Sequence, residues 1–161
     1  MSALNYLVNE KWSSSDRIAI WGSSHGGYTV NYIAVKYPDE FACAVSNVGV
    51  ADMDYTNTHG DITFRKGWEI EYGPIGSELT HKLSPIFYSM DLKKPMLITT
   101  GSVDPRVVAS DPRRFSWVLN QLGKDILYYE EIKAGHGSFT KSQIIDEYTR
   151  LYTFMMDHIS K

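Results

Sequence analysis

The sequence predicts an α/β fold, in which a mostly parallel sheet of about four strands is flanked by helices. Short apolar runs alternate along the chain with segments whose apolar residues recur every three or four positions. This alternation is typical of parallel strands joined by right-handed helical crossovers. The run at residues 17–21 is also apolar without strict alternation, as expected of a strand covered on both faces. No repeat or linker divides the chain, so residues 1–161 are predicted to form a single domain.

The predicted strands are the apolar runs at residues 17–21, 41–48, 93–100 and 126–132. Helical periodicity is found at residues 1–12, 25–36, 112–122 and 141–160. The second helix is expected to end before Tyr37, because a residue that precedes a proline resists helical angles. Gly123 closes the third helix. The apolar residues of the last helix are expected to face inward: Ile144, Ile145, Tyr148, Leu151, Tyr152, Met155 and Ile159.

Residues 49–88 break this regular pattern, because glycine and proline residues interrupt short helical pieces there. Phe64, Trp68 and Tyr72 recur at a spacing of four, which places them on one face of a helix. That face either packs on the core or forms the wall of a pocket, and the sequence leaves both interpretations open.

The composition is that of an ordinary globular protein, with 43% hydrophobic and 22% charged residues. A net charge of -3 with scattered Lys and Arg residues argues against a nucleic-acid partner. Cys43 is the single cysteine, so it has no internal disulfide partner and is expected to be buried in a protein kept under reducing conditions. The sequence shows neither a signal peptide nor an apolar run of membrane-spanning length. We therefore predict a cytoplasmic protein with no membrane partner.

A strand, a sharp turn and a helix are predicted at residues 18–28, which read IAIWGSSHGGY. Gly22, Ser24 and Gly26 match the pattern GxSxG, in which the serine occupies a strained turn and the glycines avoid collisions with the neighbouring strand or helix. Ser24 would then lie at the N-terminus of a helix, where the partial positive charge favours an oxyanion. The backbone N–H of His25 is the expected donor to that oxyanion.

Two further strand ends carry residues that could activate this serine. Asp104 follows the third predicted strand, and His136 follows the fourth, between two glycines. A serine hydroxyl needs an imidazole to take its proton and a carboxylate to orient that imidazole. The order Ser24, Asp104, His136 is that of the nucleophile-elbow hydrolases, so these residues are predicted to form a catalytic triad. No two histidines have metal-ligand spacing on one element, and neither a metal nor another cofactor is predicted.

These motifs resemble the catalytic domain of the prolyl oligopeptidase family of serine peptidases, which has an α/β-hydrolase fold. The stretches that carry the resemblance are residues 22–27 (GSSHGG), 47–52 (NVGVAD), 68–73 (WEIEYG), 84–85 (SP), 104–107 (DPRV) and 134–137 (AGHG). They span nearly the whole chain in the family's order. The resemblance implies that Ser24 is the nucleophile, Asp104 the orienting acid and His136 the base.

The resemblance also implies a peptide substrate and a subsite for it. Arg106 would bind a backbone carbonyl of the substrate, while Trp68, Tyr72, Val50 and Val107 would line a pocket for a proline ring. The chemistry of these side chains suits that role, because an indole offers a flat stacking surface and a guanidinium donates hydrogen bonds to an amide carbonyl.

The sequence departs from the family in length and at the nucleophile turn. Family members carry a β-propeller, and four strands with their helices precede the nucleophile strand, so residues 1–161 correspond to the C-terminal portion of the catalytic domain. The family's loop with the second oxyanion donor has no counterpart here, and losing one donor typically costs about 10²- to 10³-fold in turnover. Ser23 and His25 also replace the glycine and asparagine that are common in the family motif.

The strand at residues 17–21 is central in the family fold, so here its outer edge and the apolar surface beside it are expected to be uncovered. We therefore expect either a homo-oligomer, such as a dimer, or a complex with a separate chain that carries the missing half of the domain.

Three functions stay open: a serine peptidase, a truncated inactive subunit or binding module, and an esterase for small acyl groups. The esterase would give no role to Arg106 and Trp68.

Overall fold

The computed structural model describes residues 2–138 and 140–159. At its centre lies a sheet of four parallel strands in the order β1-β2-β3-β4. The strands are β1 (Ala19–Ser23), β2 (Cys43–Asn47), β3 (Met96–Gly101) and β4 (Ile126–Glu131). Along the register, Val45 of β2 lies between Trp21 of β1 and Leu97 of β3. The predicted parallel sheet of about four strands is confirmed.

Helices connect these strands. They are α1 (Ser2–Asn9), α2 (His25–Lys36), α3 (Met53–His59), α4 (Ile62–Tyr72), α5 (Glu78–Leu83), α6 (Ser110–Gln121) and α7 (Lys141–Ile159), with 3-10 segments at Ser15–Arg17 and Pro85–Asp91. The predicted helix at residues 25–36 coincides with α2, and the other boundaries move by a few residues. Positions 1 and 160 of the predicted helices lie outside the described residues. We refer to residues 53–91, which contain α3, α4 and α5, as the helical lobe.

The two faces of the sheet are covered by different helices. On one face, α2 and α6 bury a cluster that includes Ala44, Ile98 and Phe115. On the other face, α7 covers a smaller cluster formed around Val45 and Leu151. Because successive residues of a strand point to opposite faces, β2 and β3 are buried along their whole length.

Two predictions about burial were wrong. Strand β1 is not covered on both faces, since Trp21 is 42% exposed. The outer edge of β1 is uncovered, as expected, because β2 is its only strand neighbour among the described residues. In α7, Leu151 is fully buried but Tyr148 and Tyr152 remain 40% and 52% exposed. Trp21 packs edge-on against these two tyrosines at centroid distances of 5.8 and 6.5 Å, and the three rings are exposed because nothing described covers them. The strand also begins later than predicted, because Arg17 belongs to a 3-10 turn.

No helix within residues 2–138 and 140–159 has both the length and the apolar character required to cross a lipid bilayer. Cys43 is buried in β2 and makes no disulfide.

The predicted catalytic residues Ser24, Asp104 and His136 lie just beyond the carboxyl ends of β1, β3 and β4. This is the edge of an open α/β sheet at which ligands bind.

Candidate active site

Ser24 occupies a strained turn between β1 and α2. Its φ and ψ angles are 57° and -120°, a conformation that residues other than glycine rarely adopt. The turn is held at both sides, because the Ser24 N–H donates to the carbonyl of Asn47 at 2.9 Å and the Ser24 carbonyl accepts from the N–H of Tyr28 at 3.0 Å. The hydroxyl is thereby presented beyond the sheet at the N-terminus of α2.

The glycines around this turn have unequal roles. A Cβ atom on Gly22 would lie 2.3 Å from the carbonyl oxygen of Gly26, so this position excludes any side chain. A Cβ atom on Gly26 would meet nothing within 4 Å, and the expectation that Gly26 avoids a collision is wrong. Gly27 has that role instead, because its Cβ atom would lie 2.7 Å from the carbonyl oxygen of Asn47. The closest packing of α2 on β2 is therefore one residue later than the motif predicts.

His25 is the first residue of α2. Its backbone N–H has no partner within the helix, as is general for a first turn, and it follows Ser24 directly. Its side chain reaches sideways to the helical lobe, where Nε2 lies 2.6 Å from the hydroxyl of Tyr72 and 3.9 Å from the carboxylate of Glu71. Burial, with a further contribution from Glu71, raises the pKa of Tyr72, so this phenol stays protonated.

Ser24, His136 and Asp104 form a continuous series of hydrogen bonds. His136 Nε2 lies 2.7 Å from Ser24 Oγ, and His136 Nδ1 lies 2.7 Å from Asp104 Oδ2. The other oxygen of Asp104 accepts the N–H groups of Arg106 at 2.8 Å and Val107 at 3.1 Å. Asp104 is buried, so its carboxylate is fixed in orientation. An ionised carboxylate can only accept, which places a proton on Nδ1 and leaves Nε2 free to accept from the serine hydroxyl.

The loops that follow β3 and β4 approach each other closely. A Cβ atom on Gly101, the last residue of β3, would lie 2.1 Å from the carbonyl oxygen of Gly135. The N–H of Val103 donates to the carbonyl of Ala134 at 3.0 Å. These contacts bring the acid-bearing and histidine-bearing loops together, although the two residues are 32 positions apart in the sequence.

A cavity of about 300 Å³ opens beside Ser24 and His136. Its remaining lining residues are His25, Val50, Phe64, Gly67, Trp68, Glu71, Tyr72, Arg106 and Val107. The structure thus brings every residue predicted for substrate binding to one cavity. Gly67 and Glu71 were not predicted, although their spacing from Phe64 and Trp68 places them on the same helical face.

The aromatic face of α4 both packs on the core and lines this cavity. Tyr72 is buried in a cluster with Tyr28, Val50 and Val107, while Trp68 packs against the edge of the cluster. Burial, together with the neighbouring tyrosine and glutamate side chains, raises the pKa of Tyr28 to about 12, so this phenol is uncharged at neutral pH.

Arg106 lies exposed at the mouth of the cavity, with its guanidinium carbon 5.6 Å from the centre of the Phe64 ring. Its backbone N–H is bound by Asp104, so the loop that orients the imidazole also places this cation. Across residues 2–138 and 140–159, no group of three or more His, Cys, Asp or Glu side chains is arranged to hold a metal ion.

The sequence matches the prolyl oligopeptidase family over residues 1–161. It is 30% identical over 157 residues to prolyl oligopeptidase A of Galerina marginata, and 29% identical over 150 residues to the prolyl endopeptidase of Dictyostelium discoideum. These alignments cover 89% and 86% of this chain, but only 20% and 19% of the two relatives.

The fold is similar to that of the acylaminoacyl peptidase of Pyrococcus horikoshii, with a TM-score of 0.84 and 27% sequence identity. The similarity covers 98% of this chain and 26% of that structure. The four-stranded sheet and its helices therefore have the arrangement of part of an α/β-hydrolase peptidase, as the sequence predicted.

Proposed function

This chain belongs to the prolyl oligopeptidase family, and we propose that it supplies the C-terminal portion of a catalytic domain that hydrolyses peptide bonds by serine-type chemistry. The observation that carries the proposal is the hydrogen-bonded series from Ser24 through His136 to Asp104, which ends at an open cavity. The three residues lie beyond the carboxyl ends of β1, β3 and β4, at the same edge of the sheet, where they can be presented to one substrate.

In the proposed reaction, Ser24 Oγ attacks the scissile carbonyl while His136 Nε2 takes the hydroxyl proton. Asp104 stabilises the imidazolium that forms, and the N–H of His25 donates to the oxyanion. The C–N bond then breaks, and His136 returns the proton to the leaving amine. Water attacks the acyl-enzyme in the same way, which releases the acid and restores the Ser24 hydroxyl. The acyl transfer and both proton transfers use only side chains and backbone of this chain.

The proposed substrate is a peptide with proline at the position before the scissile bond. Trp68, Tyr72, Val50 and Val107 form an apolar wall that suits a pyrrolidine ring, and Arg106 can donate to a substrate carbonyl at the cavity mouth. The names of two relatives, prolyl oligopeptidase A and prolyl endopeptidase, support the same preference.

The test is labelling by a fluorophosphonate probe, which modifies an activated serine. We expect labelling at Ser24, its loss in Ser24→Ala and its reduction in His136→Ala. The exposed Ser14 provides the matched control, since Ser14→Ala should be labelled as fast as the wild type. If the folded chain is not labelled, the peptidase proposal is wrong and the chain is an inert binding module.

A pair of substrates then separates a peptidase from an esterase. A proline-based peptide ester should be cleaved with a higher kcat/KM than a simple acetyl ester, because only the former fills the wall around Trp68. Equal rates for the two esters would favour a small-ester esterase.

The exposed aromatic surface formed by Trp21, Tyr148 and Tyr152 supports a second proposal, on assembly. It lies beside the free edge of β1, and an open strand edge next to apolar surface is a typical contact site. We propose that further polypeptide covers it, either a second copy of this chain or a chain with the remainder of the hydrolase domain. Light scattering at micromolar concentration should show a dimer that Tyr152→Lys dissociates, whereas Trp117→Lys, at an exposed position on α6, should not.

A monomer in that experiment excludes the second copy, and co-expression with the remainder of a relative's catalytic domain then tests the other partner.

The single cysteine bears on the location of the protein. Because Cys43 is buried and makes no disulfide, it suits a reducing compartment, and we propose a cytoplasmic protein. Burial raises the pKa of its thiol to about 11, which keeps it protonated and unreactive.

A further inference from the structure

A set of hydrogen bonds behind the active site joins the nucleophile turn to the loop that bears His136. We propose that Glu147 of α7 is a positioning residue that fixes His136 relative to Ser24, acting through Ser138 and Asn47. This inference rests on the proposed function, because it assigns a role within the same reaction.

Asn47 is the residue of this set that its hydrogen bonds hold most firmly. Its carbonyl accepts the N–H of Ser24 at 2.9 Å, so the residue directly supports the nucleophile turn. Its side-chain Oδ1 accepts from Thr99 Oγ1 at 2.7 Å, and its Nδ2 donates to Glu147 Oε1 at 2.7 Å and to Ser23 Oγ at 3.3 Å. Asn47 is buried at the end of β2, and Thr99 is buried within β3. A buried amide with these partners has a single orientation.

Glu147 connects Asn47 to the loop that bears His136. Its second oxygen, Oε2, accepts the hydroxyl of Ser138, two residues after His136. Glu147 is half-buried, whereas its neighbours Asp146 and Tyr148 on α7 are exposed. The carboxylate is therefore turned inward, and it bridges two segments that lie far apart in the sequence.

The histidine loop needs such a restraint at its C-terminal side. His136 lies between Gly135 and Gly137, and Gly137 has a φ angle of 127° that other residues rarely adopt. Glycines restrict the backbone least, so the local sequence does little to hold the imidazole. The contacts with Gly101 and Val103 fix the loop before His136, and the bond from Ser138 to Glu147 fixes it afterwards.

Substitution of Glu147 separates positioning from substrate binding, because Glu147 does not line the cavity. Glu147→Ala removes both acceptors, and we expect kcat to fall about 30-fold with KM unchanged, since small displacements of catalytic groups are costly. Glu147→Gln can accept from Asn47 and donate to Ser138, so it should restore kcat to within about threefold of the wild type. Asp146→Ala, on the exposed side of the same helix, is the control and should leave kcat unchanged.

If Glu147→Ala does not fold, Ser138→Ala tests the same link, because it removes only the bond to the histidine loop. An unchanged kcat in the folded variant, or a loss that Gln does not rescue and that raises KM in parallel, overturns the inference.

A second readout needs no turnover. The proton of the hydrogen bond between His136 Nδ1 and Asp104 is expected to give a low-field NMR resonance, which Glu147→Ala should shift or broaden and Asp146→Ala should not. An unchanged resonance overturns the positioning role even if Ser24 proves inert. A perturbed resonance in a chain that no fluorophosphonate labels supports the positioning role and contradicts only the proposed function.

Discussion

The active-site loops and the helical lobe are held in the fold in different ways. Asp104, His136 and Ser24 lie on loops that are joined to the sheet and to one another by backbone hydrogen bonds and close glycine contacts. In the lobe, α4 packs mainly on α3 and α5 rather than on the sheet, and Tyr72 is its one buried residue. The same cavity is thus built from one rigid wall and one lightly attached wall.

This difference assigns separate tasks to the two regions. Reacting groups must stay within a fraction of an ångström of their productive geometry, and the sheet provides that precision. Small shifts of α4 can leave these groups in place, because this helix is joined to the acid loop at a few points such as the bond from the Asp61 N–H to the Pro105 carbonyl, 3.1 Å. Changes in the loops should therefore alter kcat, and changes in the lobe should alter KM.

The largest effect is expected from Asp104→Asn. The amide can still accept the N–H groups of Arg106 and Val107, so the fold should persist. Its NH₂ group would face His136 Nδ1 and force the proton onto Nε2, where the imidazole can no longer accept from Ser24. We expect kcat to fall about 10⁴-fold with KM nearly unchanged, measured on a proline-based ester.

The control for this change is Asp61→Asn, since Asp61 also accepts a backbone N–H but is exposed. It should alter kcat by no more than about twofold. A loss of less than about tenfold in Asp104→Asn would mean that the carboxylate does not orient the imidazole.

A smaller loss is expected from Gly101→Ala, which tests the rigidity of the loops. The added Cβ atom would lie 2.1 Å from the carbonyl oxygen of Gly135, so the histidine loop must move away from Asp104. We expect kcat to fall about 10²-fold and the free energy of unfolding to drop by about 1–3 kcal/mol. Gly26→Ala is the matched control, because its Cβ atom has open space. Full activity in Gly101→Ala would show that the loops are not rigid.

Asp111 of α6 provides a test of how the lobe is anchored. Its fully buried carboxylate accepts the N–H of Ala51 at 2.9 Å and the hydroxyl of Thr56 at 2.7 Å. Burial raises its pKa to about 6. A carboxyl pKa raised above its unfolded value stabilises the fold below the unfolded pKa, near 3.8, and loses that contribution as the pH rises through about 6.

Urea unfolding of the wild type and Asp111→Asn measures this contribution. The stability of the wild type relative to the variant should increase by about 2 kcal/mol between pH 7 and pH 4. Asp61→Asn should show the opposite trend, because hydrogen bonds from Thr63 lower the pKa of Asp61. A difference that does not vary with pH would mean that Asp111 is not a buried, titrating anchor.

Much of the fold could be predicted because β2, β3 and α2 are determined by local signals. Apolar runs of strand length and a proline after Tyr37 are properties of the nearby sequence alone. The exposure of Trp21 and Tyr152 could not be found in this way, since it depends on which surfaces meet. A helix with apolar residues at regular spacing looks the same in the sequence whether or not another surface covers it.

The candidate active site also combines features that the nearby sequence determines with features that depend on tertiary packing. Ser24 and His136 stand in short motifs whose geometry the local backbone specifies, and the structure places them 2.7 Å apart. Glu147 carries no motif, and its contact with Asn47 joins residues 100 positions apart. Such a contact arises from the packing of α7 on the sheet, which a single sequence does not reveal.

The smallest effect is expected from Trp68→Ala, in the lobe. The Trp68 ring lies 5.0 Å from that of Tyr72 and forms part of the cavity wall without touching Asp104 or His136. We expect KM for a proline-based ester to rise about tenfold while kcat and the hydrolysis of an acetyl ester stay the same, because the interaction lost is made equally in the ground and transition states. Trp117→Ala, at an exposed position on α6, should change neither parameter. If Trp68→Ala lowers kcat on both esters, the lobe supports the reacting groups after all, and the two regions do not have separate tasks.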